Sequence, residues 1–355
     1  MVTPETNVNN APLMAARAID ELRRQMGLVY SDESATYAVI PAEFADDALL
    51  TTLKKNDLKL IISAARAKTI DIATGSATAI DVSSFSLDDI LAVADPTHKE
   101  SIKTSLSTSD GSRFDALLSL AKHASLLPAL LVAKINDASA FSDWMQINHT
   151  AITHYLNAPE VEVIKTAQAK LPINGAQDAR LISFRLKHAA SVHLALMIGE
   201  PQQDDAPLVR VHSSCVTGDI LGSLRCDCGD QLHLAIQQII KQGSGVLLYL
   251  HQEGRGIGIT NKLRAYRLQE KGIDTYDANL MLGYEEDERD FSLAAAMLKQ
   301  LNIGTIQLLT NNPMKLTKLK DCGINITKRV SLIVPAGEHN HAYIEAKGKK
   351  AGHLF

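Results

Sequence analysis

Apolar residues recur along the chain in two spacings, one typical of helices and one typical of strands, and the two alternate. Ala15, Ile19, Leu22 and Met26 keep one face of an early segment apolar at helical spacing, whereas Ala129–Ile135 is a short apolar run. Alternating segments of these two kinds indicate an α/β (α+β) protein, because an apolar helix face and an apolar strand bury each other.

The second half of the chain has the clearer succession of strands and helices. Its apolar runs predict strands at Ile182–Leu186, Val192–Ile198, Leu208–His212, Val246–Leu250 and Ile306–Thr310, and helices at Gln231–Gln242, Asn261–Lys271, Ser292–Leu301 and Pro313–Cys322. We expect a helix carrying Val161, Val163 and Ile164 just before a boundary near residue 165. At 355 residues, two domains are expected, 1–165 and 166–355, the second a mixed sheet with flanking helices.

Composition narrows the class of protein. The chain is 46% hydrophobic and 21% charged, with a formal net charge of −4, so it has no bulk attraction for nucleic acid or for an anionic membrane. Its N-terminus has no apolar core of signal-peptide length, and Pro128 and Lys134 interrupt the most apolar run, Ala124–Ile135. We therefore expect a cytoplasmic protein that binds neither nucleic acid nor membrane. The few cysteines suit a reducing compartment.

Three of the four cysteines, Cys215, Cys226 and Cys228, fall within the stretch CVTGDILGSLRCDC. Closely spaced thiolates in a turn-rich loop favour zinc, and three protein ligands leave the fourth tetrahedral position for a water, as in catalytic sites. Two alternatives stay open at this point. The cysteines could be small buried residues or a disulfide with a free thiol, or a fourth ligand such as His212 or His233 could close a structural site.

Three further stretches carry groups that suit an anionic ligand. Gly254, Gly256 and Gly258 with Arg255 follow an apolar strand and precede a helix, which is typical of a phosphate-binding loop although it fits no standard pattern. The stretch YEEDERDF could orient an arginine and a proton acceptor, or could be a solvated charge run. TNNPMK follows another strand, where it is either a ligand-binding strand end or a capped helix start.

Together these stretches resemble one family. RVHSSCVTGDILGSLRCDCGDQL, LYLHQEGRGIGITNKLRAY, DERDF, LLTNNPMK and the terminal KAGHLF are similar, in the same order, to the motifs of GTP cyclohydrolase II over residues 166–355. The resemblance implies one zinc ion per subunit on Cys215, Cys226 and Cys228. It implies Asp287 as proton acceptor, Arg289 as nucleophile towards the α-phosphorus and Tyr266 as a positioning group. The GTP contacts that it implies are Arg210, Val211, His212, Ser213, Ser214, Gln231, Glu253, Gly254, Arg255, Thr275, Thr310 and Lys315.

That family hydrolyses GTP to 2,5-diamino-6-hydroxy-4-(5-phosphoribosylamino)pyrimidine, formate and pyrophosphate, the first step of riboflavin biosynthesis. The residues agree with such chemistry. A three-thiolate zinc site can activate a water for opening of the guanine ring. Release of pyrophosphate needs cations around the phosphate oxygens, usually with Mg²⁺. The resemblance thus implies a homodimeric enzyme with GTP as its substrate, Zn²⁺ as its cofactor and Mg²⁺ on the substrate phosphates.

The first half is similar, more distantly, to 3,4-dihydroxy-2-butanone 4-phosphate synthase. The similarity lies in AIDELRRQMGLVYSDESATYAVIPAEF. That family has an arginine and an acidic Gly-Asp run after the first acids, to bind Mg²⁺, whereas here Asp32 and Glu33 lead directly into Ser34-Ala35-Thr36. We expect a degenerate, inactive synthase-like domain over 1–165.

Two other functions are compatible with these motifs. One is an enzyme that acts on another purine nucleotide or stops at a different product. The other is a zinc-stabilised binding or regulatory protein without turnover, against which the presence of Cys215, Asp287 and Arg289 together argues.

Overall fold

The computed structural model describes residues 10–72, 74–99, 105–158, 161–203 and 205–334. The chain divides into two compact units, one of Met1–Ala158 with Ile257–Glu288 and the other of Pro159–Gly256 with Arg289–Phe355. The terminal KAGHLF motif lies outside the described residues.

Helices and strands alternate through the described chain. The helices are α1 (Ala11–Arg23), α2 (Asp47–Leu53), α3 (Ala64–Thr69), α4 (Leu87–Ala94), α5 (Asp115–His123), α6 (His149–Leu156), α7 (Cys228–Gln242), α8 (Gly258–Gln269), α9 (Thr275–Met281), α10 (Ser292–Gln300) and α11 (Pro313–Asp321). The strands are β1 (Leu28–Ser31), β2 (Thr36–Pro41), β3 (Asp57–Ile62), β4 (Thr78–Asp81), β5 (Thr108–Asp110), β6 (Ala129–Ile135), β7 (Met145–Asn148), β8 (Val163–Lys170), β9 (Arg180–Leu186), β10 (Val192–Ile198), β11 (Leu208–Ser213), β12 (Gly245–Leu250), β13 (Thr305–Leu309) and β14 (Asn325–Val330). Among these described helices, none has the length and apolar character needed to cross a membrane.

The first unit is built on a seven-stranded sheet in the order β5-β4-β3-β6-β2-β1-β7. Neighbouring strands are antiparallel except β1 and β7, which are parallel. Successive residues of β6 point to opposite faces, so Leu131 and Ala133 enter one core and Leu130 and Val132 enter the other. The run Ala129–Ile135 is apolar because both faces of its strand are covered.

Residues 257–288 belong to this first unit. Helices α8 and α9, with the residues that flank them, place apolar side chains in the same core as Leu60 and Leu131. These side chains are Ile257, Ala265, Leu268, Ala278, Leu282 and Tyr284. The compact units therefore divide the chain differently from the predicted 1–165 and 166–355, because a stretch within the second range folds onto the first half.

The second unit contains a seven-stranded mixed sheet in the order β14-β13-β11-β12-β10-β9-β8. Strand β11 runs parallel to β12 and β13, and β13 runs parallel to β14, whereas β10, β9 and β8 pair antiparallel. The carboxyl ends of β11, β12 and β13 thus meet at one edge of the sheet, where α/β proteins bind ligands. The predicted α/β fold with a mixed sheet and flanking helices is confirmed.

The helix predicted around Val161, Val163 and Ile164 is wrong. Residues Val163–Lys170 form the edge strand β8, which pairs with β9. Only Val163 of this strand is buried, so its sequence lacks the apolar alternation that marks a half-buried strand. Helix α9 was also absent from the prediction, although Asp274 caps it by accepting from the N–H groups of Tyr276 and Asp277.

A buried histidine predicts how the stability of the second unit depends on pH. His193 in β10 is 2% exposed, and its Nδ1 accepts the backbone N–H of His251 at 3.1 Å. Burial, with a smaller contribution from His251, lowers the pKa of His193 to about 4. Because the unfolded chain has a histidine pKa of about 6.5, the folded state loses about 2 to 3 kcal/mol as pH falls from about 6.5 to 4.

His193→Gln, which keeps an acceptor, should lose less thermal stability than the wild type between neutral pH and about pH 4.5. The exposed His154 provides the control, since His154→Gln should show the wild-type pH dependence. Equal losses in the wild type and in His193→Gln would contradict the assignment.

Candidate active site

Three cysteine sulfurs meet just beyond the carboxyl end of β11. Cys215 follows the strand, one turn of π-helix spans Val216–Ile220, and Cys228 begins α7. The three Sγ atoms lie within 4.8 Å of one another, with 3.6 Å between Cys215 and Cys226. The clustering predicted from their spacing is therefore present.

The cysteine loop closes tightly around a glycine. A Cβ atom on Gly218 would lie 2.9 Å from Cys226 Sγ and 3.2 Å from Cys215 Sγ. The Gly218 N–H donates to Cys215 Sγ at 3.4 Å. A hydrogen at this position, instead of a side chain, is what lets the three sulfurs approach one another.

Asp219 holds this loop against the sheet. Its Oδ2 accepts the Cys215 N–H at 2.9 Å and the Tyr249 hydroxyl at 2.9 Å, and both carboxylate oxygens lie 3.1 Å from His212 Nε2. The His212 ring stacks on Tyr249 at 5.6 Å between centroids. The side chains of His212 and Asp219 are each 3% exposed, and burial lowers the pKa of His212. Asp219 thus links the ends of β11 and β12 to the first cysteine.

Glu253 joins the glycine loop to the cysteine loop. Its Oε2 accepts the Val216 N–H at 2.7 Å and its Oε1 accepts the Gly254 N–H at 3.2 Å. Gly254 and Arg255 both have left-handed backbones, with φ of 62°. Arg255 carries a Cβ atom in this conformation, an outlier of the kind that clusters at functional sites.

Arg210 lies beneath the loops in the middle of β11. Its Nη2 donates to Gln231 Oε1 at 2.7 Å and its Nη1 to the Leu309 carbonyl at 3.1 Å, while Gln231 Nε2 donates to Asp227 Oδ2 at 2.6 Å. Burial lowers the pKa of Arg210 to about 10, against the opposing effect of Cys228 and Asp227. Arg210 is therefore a buried cation at neutral pH.

More positive charge gathers around one aromatic ring. Arg289 Cζ lies 5.5 Å from the centroid of Phe291, Lys315 Nζ lies 5.8 Å from it and Lys318 Nζ lies 5.5 Å from it. Lys315 is buried and donates to the Val211 carbonyl at 2.9 Å. Such a cluster of cations suits an anion with several charges.

The TNNP stretch follows β13 at the same sheet edge. The buried Thr310 accepts the Asn312 N–H at its Oγ1, and Asn312 caps α11 by accepting from Met314 N at 2.9 Å. Asn311 holds the backbone of Leu332 through both its Nδ2 and its Oδ1. The capped helix start is present, so it orders Thr310 and Lys315 next to β11.

Several buried polar atoms at this edge have no hydrogen-bond partner among the described residues. They are Arg210 Nε, His212 Nδ1, Ser213 Oγ, Ser214 Oγ and Gln252 Oε1. Buried polar groups are nearly always paired in folded proteins, so a concentration of exceptions marks a place where a polar ligand or water completes the pairing.

The other predicted residues are placed elsewhere. Tyr266 on α8, Thr275 at the start of α9 and Asp287 in the following loop belong to the first unit. Val211 packs its side chain into the core of the second unit, and its carbonyl accepts from Lys315 Nζ at 2.9 Å. The structure adds Asp219, Asp227 and Tyr249 to the site, and the sequence motifs had predicted no role for these three residues.

The three thiols fit a metal ion. Hydrogen bonding with Cys215, together with burial, raises the pKa of Cys226, and hydrogen bonding with both neighbouring cysteines and burial raise that of Cys228 well above its ordinary value. Repulsion between adjacent thiolates adds to both shifts. A bound cation relieves that repulsion, and three sulfurs form the soft donor set that zinc prefers. Among the described residues this is the only such group of His, Cys, Asp and Glu ligand atoms, so neither His212 nor His233 joins it.

Comparison with known proteins points to one family. The sequence profile of GTP cyclohydrolase II matches residues 164–331. The GTP cyclohydrolase-2 of Azospirillum brasilense is 38% identical over 364 residues, covering 96% of this chain and 94% of that protein. The GTP cyclohydrolase-2 of Shigella boydii is 47% identical over 195 residues, 55% of this chain and 99% of that protein.

Two further similarities are partial or weak. The riboflavin biosynthesis protein RibBA of Cytophaga hutchinsonii is 52% identical over 178 residues, half of this chain and 44% of that protein. The solved structure of RibBX from A. baumannii, a two-domain 3,4-dihydroxy-2-butanone 4-phosphate synthase, covers 90% of this chain and 99% of its own at 16% identity and a TM-score of 0.34. No shared fold is inferred at that score.

The tight packing at Gly218 leads to a prediction. Gly218→Ala should push Cys226 and Cys215 apart and destabilise the second unit by about 1 to 3 kcal/mol, as overpacked sites do. Thermal unfolding of the variant measures this. Gly304→Ala is the matched control, because nothing lies within 4 Å of a Cβ atom there. Equal stability of the two variants would show that the loop adapts without cost.

Proposed function

Because the chain belongs to the GTP cyclohydrolase II family, we propose that it is a zinc-dependent hydrolase in the first step of riboflavin biosynthesis. Its substrate is GTP, and its products are 2,5-diamino-6-hydroxy-4-(5-phosphoribosylamino)pyrimidine, formate and pyrophosphate. The family assignment rests on 38% identity across 96% of the chain.

The observation that carries this proposal is the three-thiol cluster at the carboxyl edge of the parallel strands. Cys215, Cys226 and Cys228 lie together beside groups that suit a nucleotide. They would hold one zinc ion per subunit, which when bound supplies a Lewis acid and an activated water for hydrolysis of the guanine ring. Three ligands, rather than four, are typical of a catalytic zinc.

The cations of the second unit bind the phosphate end of GTP in this proposal. Arg289 and Lys315 surround Phe291, and Arg210 is a buried cation whose pKa responds to Arg289. Positive groups fixed before the substrate arrives stabilise charge that develops on phosphate oxygens without reorganising. Mg²⁺ accompanies the substrate phosphates, as is usual in phosphoryl chemistry.

The unpartnered polar atoms support contacts to the rest of the nucleotide. Ser213, Ser214 and His212 each have a buried side-chain atom without a partner among the described residues. The remaining proposed GTP contacts are Val211, Gln231, Glu253, Gly254, Arg255, Thr275 and Thr310. Specificity for guanine follows, because a buried group left unpaired by the wrong base costs binding energy.

Three residues have proposed roles in the reaction. Asp287 accepts a proton during hydrolysis, and Tyr266 positions substrate or water. Arg289 acts at the α-phosphate. A guanidinium stays protonated at neutral pH, so electrostatic stabilisation accounts for an essential Arg289 more readily than nucleophilic attack does.

Further properties are part of the same proposal. The enzyme is a cytoplasmic homodimer that binds neither nucleic acid nor membrane, in keeping with its net charge of −4. Residues 166–355 carry the cyclohydrolase motifs and residues 1–165 have no synthase activity.

The direct test is to incubate the purified full chain with GTP and to quantify formate and pyrophosphate alongside zinc content.

Cys226→Ser should lose zinc and ring opening together, with formate release falling at least about 100-fold, because a hydroxyl is a far poorer zinc ligand than a thiolate. Cys322→Ser, at the only cysteine outside the cluster, should keep both. A zinc-loaded Cys226→Ser protein would refute the ligand assignment, and tight GTP binding without products would favour a regulatory protein.

A second prediction separates the two hydrolyses. Arg289→Lys keeps the charge but loses the planar fork, so pyrophosphate release should fall by about two to four decades, roughly 3 to 5 kcal/mol of transition-state stabilisation. Zinc content should not change. Arg185→Lys, at an exposed position of β9, controls for the substitution itself. Pyrophosphate release near the wild-type rate in Arg289→Lys would show that Arg289 has no role at the phosphate. The stretch DERDF would then be only a solvated run of charges.

A further inference from the structure

The stretch Ile257–Glu288 is held by the first half of the chain, although it lies inside the region that matches the cyclohydrolase profile. Its backbone touches the first half at two glycines with left-handed conformations. A Cβ atom on Gly258 would lie 2.6 Å from Ser125 Cβ, and one on Gly283 would lie 2.8 Å from Pro128 Cγ. We call residues 257–288 the docked segment.

A partly buried ion cluster fixes helix α8 of the docked segment. Arg264 Nη2 lies 2.9 Å from Glu43 Oε2, and Arg264 Nε lies 2.9 Å from Asp95 Oδ2. The side chains of Arg264, Glu43 and Asp95 are 18%, 11% and 15% exposed. Ion pairs shielded to this degree are sensitive to geometry, because removing one partner leaves a charge in a poorly solvated place.

A hydrogen-bond network continues from this cluster. Arg264 Nη1 donates to Asn261 Oδ1, while Asn261 Nδ2 contacts the Ser125 carbonyl and the Tyr284 hydroxyl, each at 2.9 Å. The Tyr284 hydroxyl donates to the Leu126 carbonyl. Glu43 closes the network by accepting the Leu127 N–H at 2.8 Å. Both ends of the docked segment are thereby bound to the 125–127 turn.

Lys122 fixes the far end of the docked segment. Its Nζ lies 2.7 Å from Glu288 Oε1 and 5.8 Å from the ring centroid of Tyr284. Glu288 Oε1 also accepts the Glu285 N–H at 2.8 Å. The loop that carries Asp287 is therefore pinned by a residue of α5 at the position next to Asp287.

We infer that the first half of the chain is a scaffold that positions the docked segment for cyclohydrolase chemistry, with Glu43 and Lys122 as positioning residues. The inference rests on the proposed function, in which Tyr266, Thr275 and Asp287 act, because all three lie in the docked segment. Glu43 reaches Arg264, two residues before Tyr266, and Lys122 reaches Glu288, next to Asp287. In this inference, the first half is needed for turnover although it has no synthase activity of its own.

The test combines two measurements on full-length, zinc-loaded protein. Lys122→Gln and Glu43→Gln should speed hydrogen–deuterium exchange in peptides of the docked segment. They should also lower kcat for formate release by about 10- to 100-fold, because small displacements of reacting groups are costly, while KM changes by less than about threefold. Lys122→Arg should restore both readouts in part.

Lys59→Gln is the matched control, since both ion pairs of Lys59, with Asp57 and with Asp81, lie within the first half. It should leave exchange and kcat as in the wild type. Faster exchange with unchanged kcat would overturn the positioning role, and unchanged exchange would overturn the scaffold. A wild-type protein without formate release refutes the proposed function instead, and the exchange data still decide whether Glu43 and Lys122 hold the docked segment.

Discussion

The buried carboxylate of Asp219 is the interaction on which the second unit's site depends. A carboxylate that is 3% exposed is costly to bury unless donors surround it. Asp219 is surrounded by the Cys215 N–H, the Tyr249 hydroxyl and the His212 ring. Because these donors come from β11, β12 and the cysteine loop, the pairing that stabilises Asp219 also sets where the first sulfur lies.

Glu253 repeats this arrangement one residue further along the loop, by accepting the Val216 N–H. Two adjacent backbone positions, 215 and 216, are thus held by carboxylates from different loops. By contrast, Ser213, Ser214 and His212, just before them in the chain, each have a buried side-chain atom with no hydrogen-bond partner in the part of the chain that the structure describes. This combination is expected at a preorganised binding site. Paired hydrogen bonds there fix the backbone, and the neighbouring polar side chains stay available for a ligand.

The sequence predicted the buried strands well, but it did not predict the edge strand of the second sheet. Ala129–Ile135 and Val192–Ile198 were predicted with the bounds that the structure shows, because apolar runs that fill a core leave a strong pattern. Strand β8 was missed because seven of its eight residues are exposed, so pairing with β9, rather than its own composition, decides its conformation.

The sulfur cluster was predictable from spacing alone. The role of Asp219 was not, since nothing in a loop rich in charges marks which carboxylate becomes buried.

The docked segment shows why a sequence match and a compact unit need not coincide. Its motifs continue the cyclohydrolase pattern without interruption, yet its apolar residues, among them Leu268 and Tyr284, fill a core whose other members come from the first half. Hydrophobic burial is indifferent to the order of residues in the chain. Specific contacts direct the docked segment to the first half of the chain. Gly258 and Gly283 allow a close approach of the two backbones. Glu43, Asp95 and Lys122 of the first half pair with opposite charges on the docked segment. Residues 32–36, where the acidic run of a synthase was expected and is missing from the sequence, supply none of these contacts.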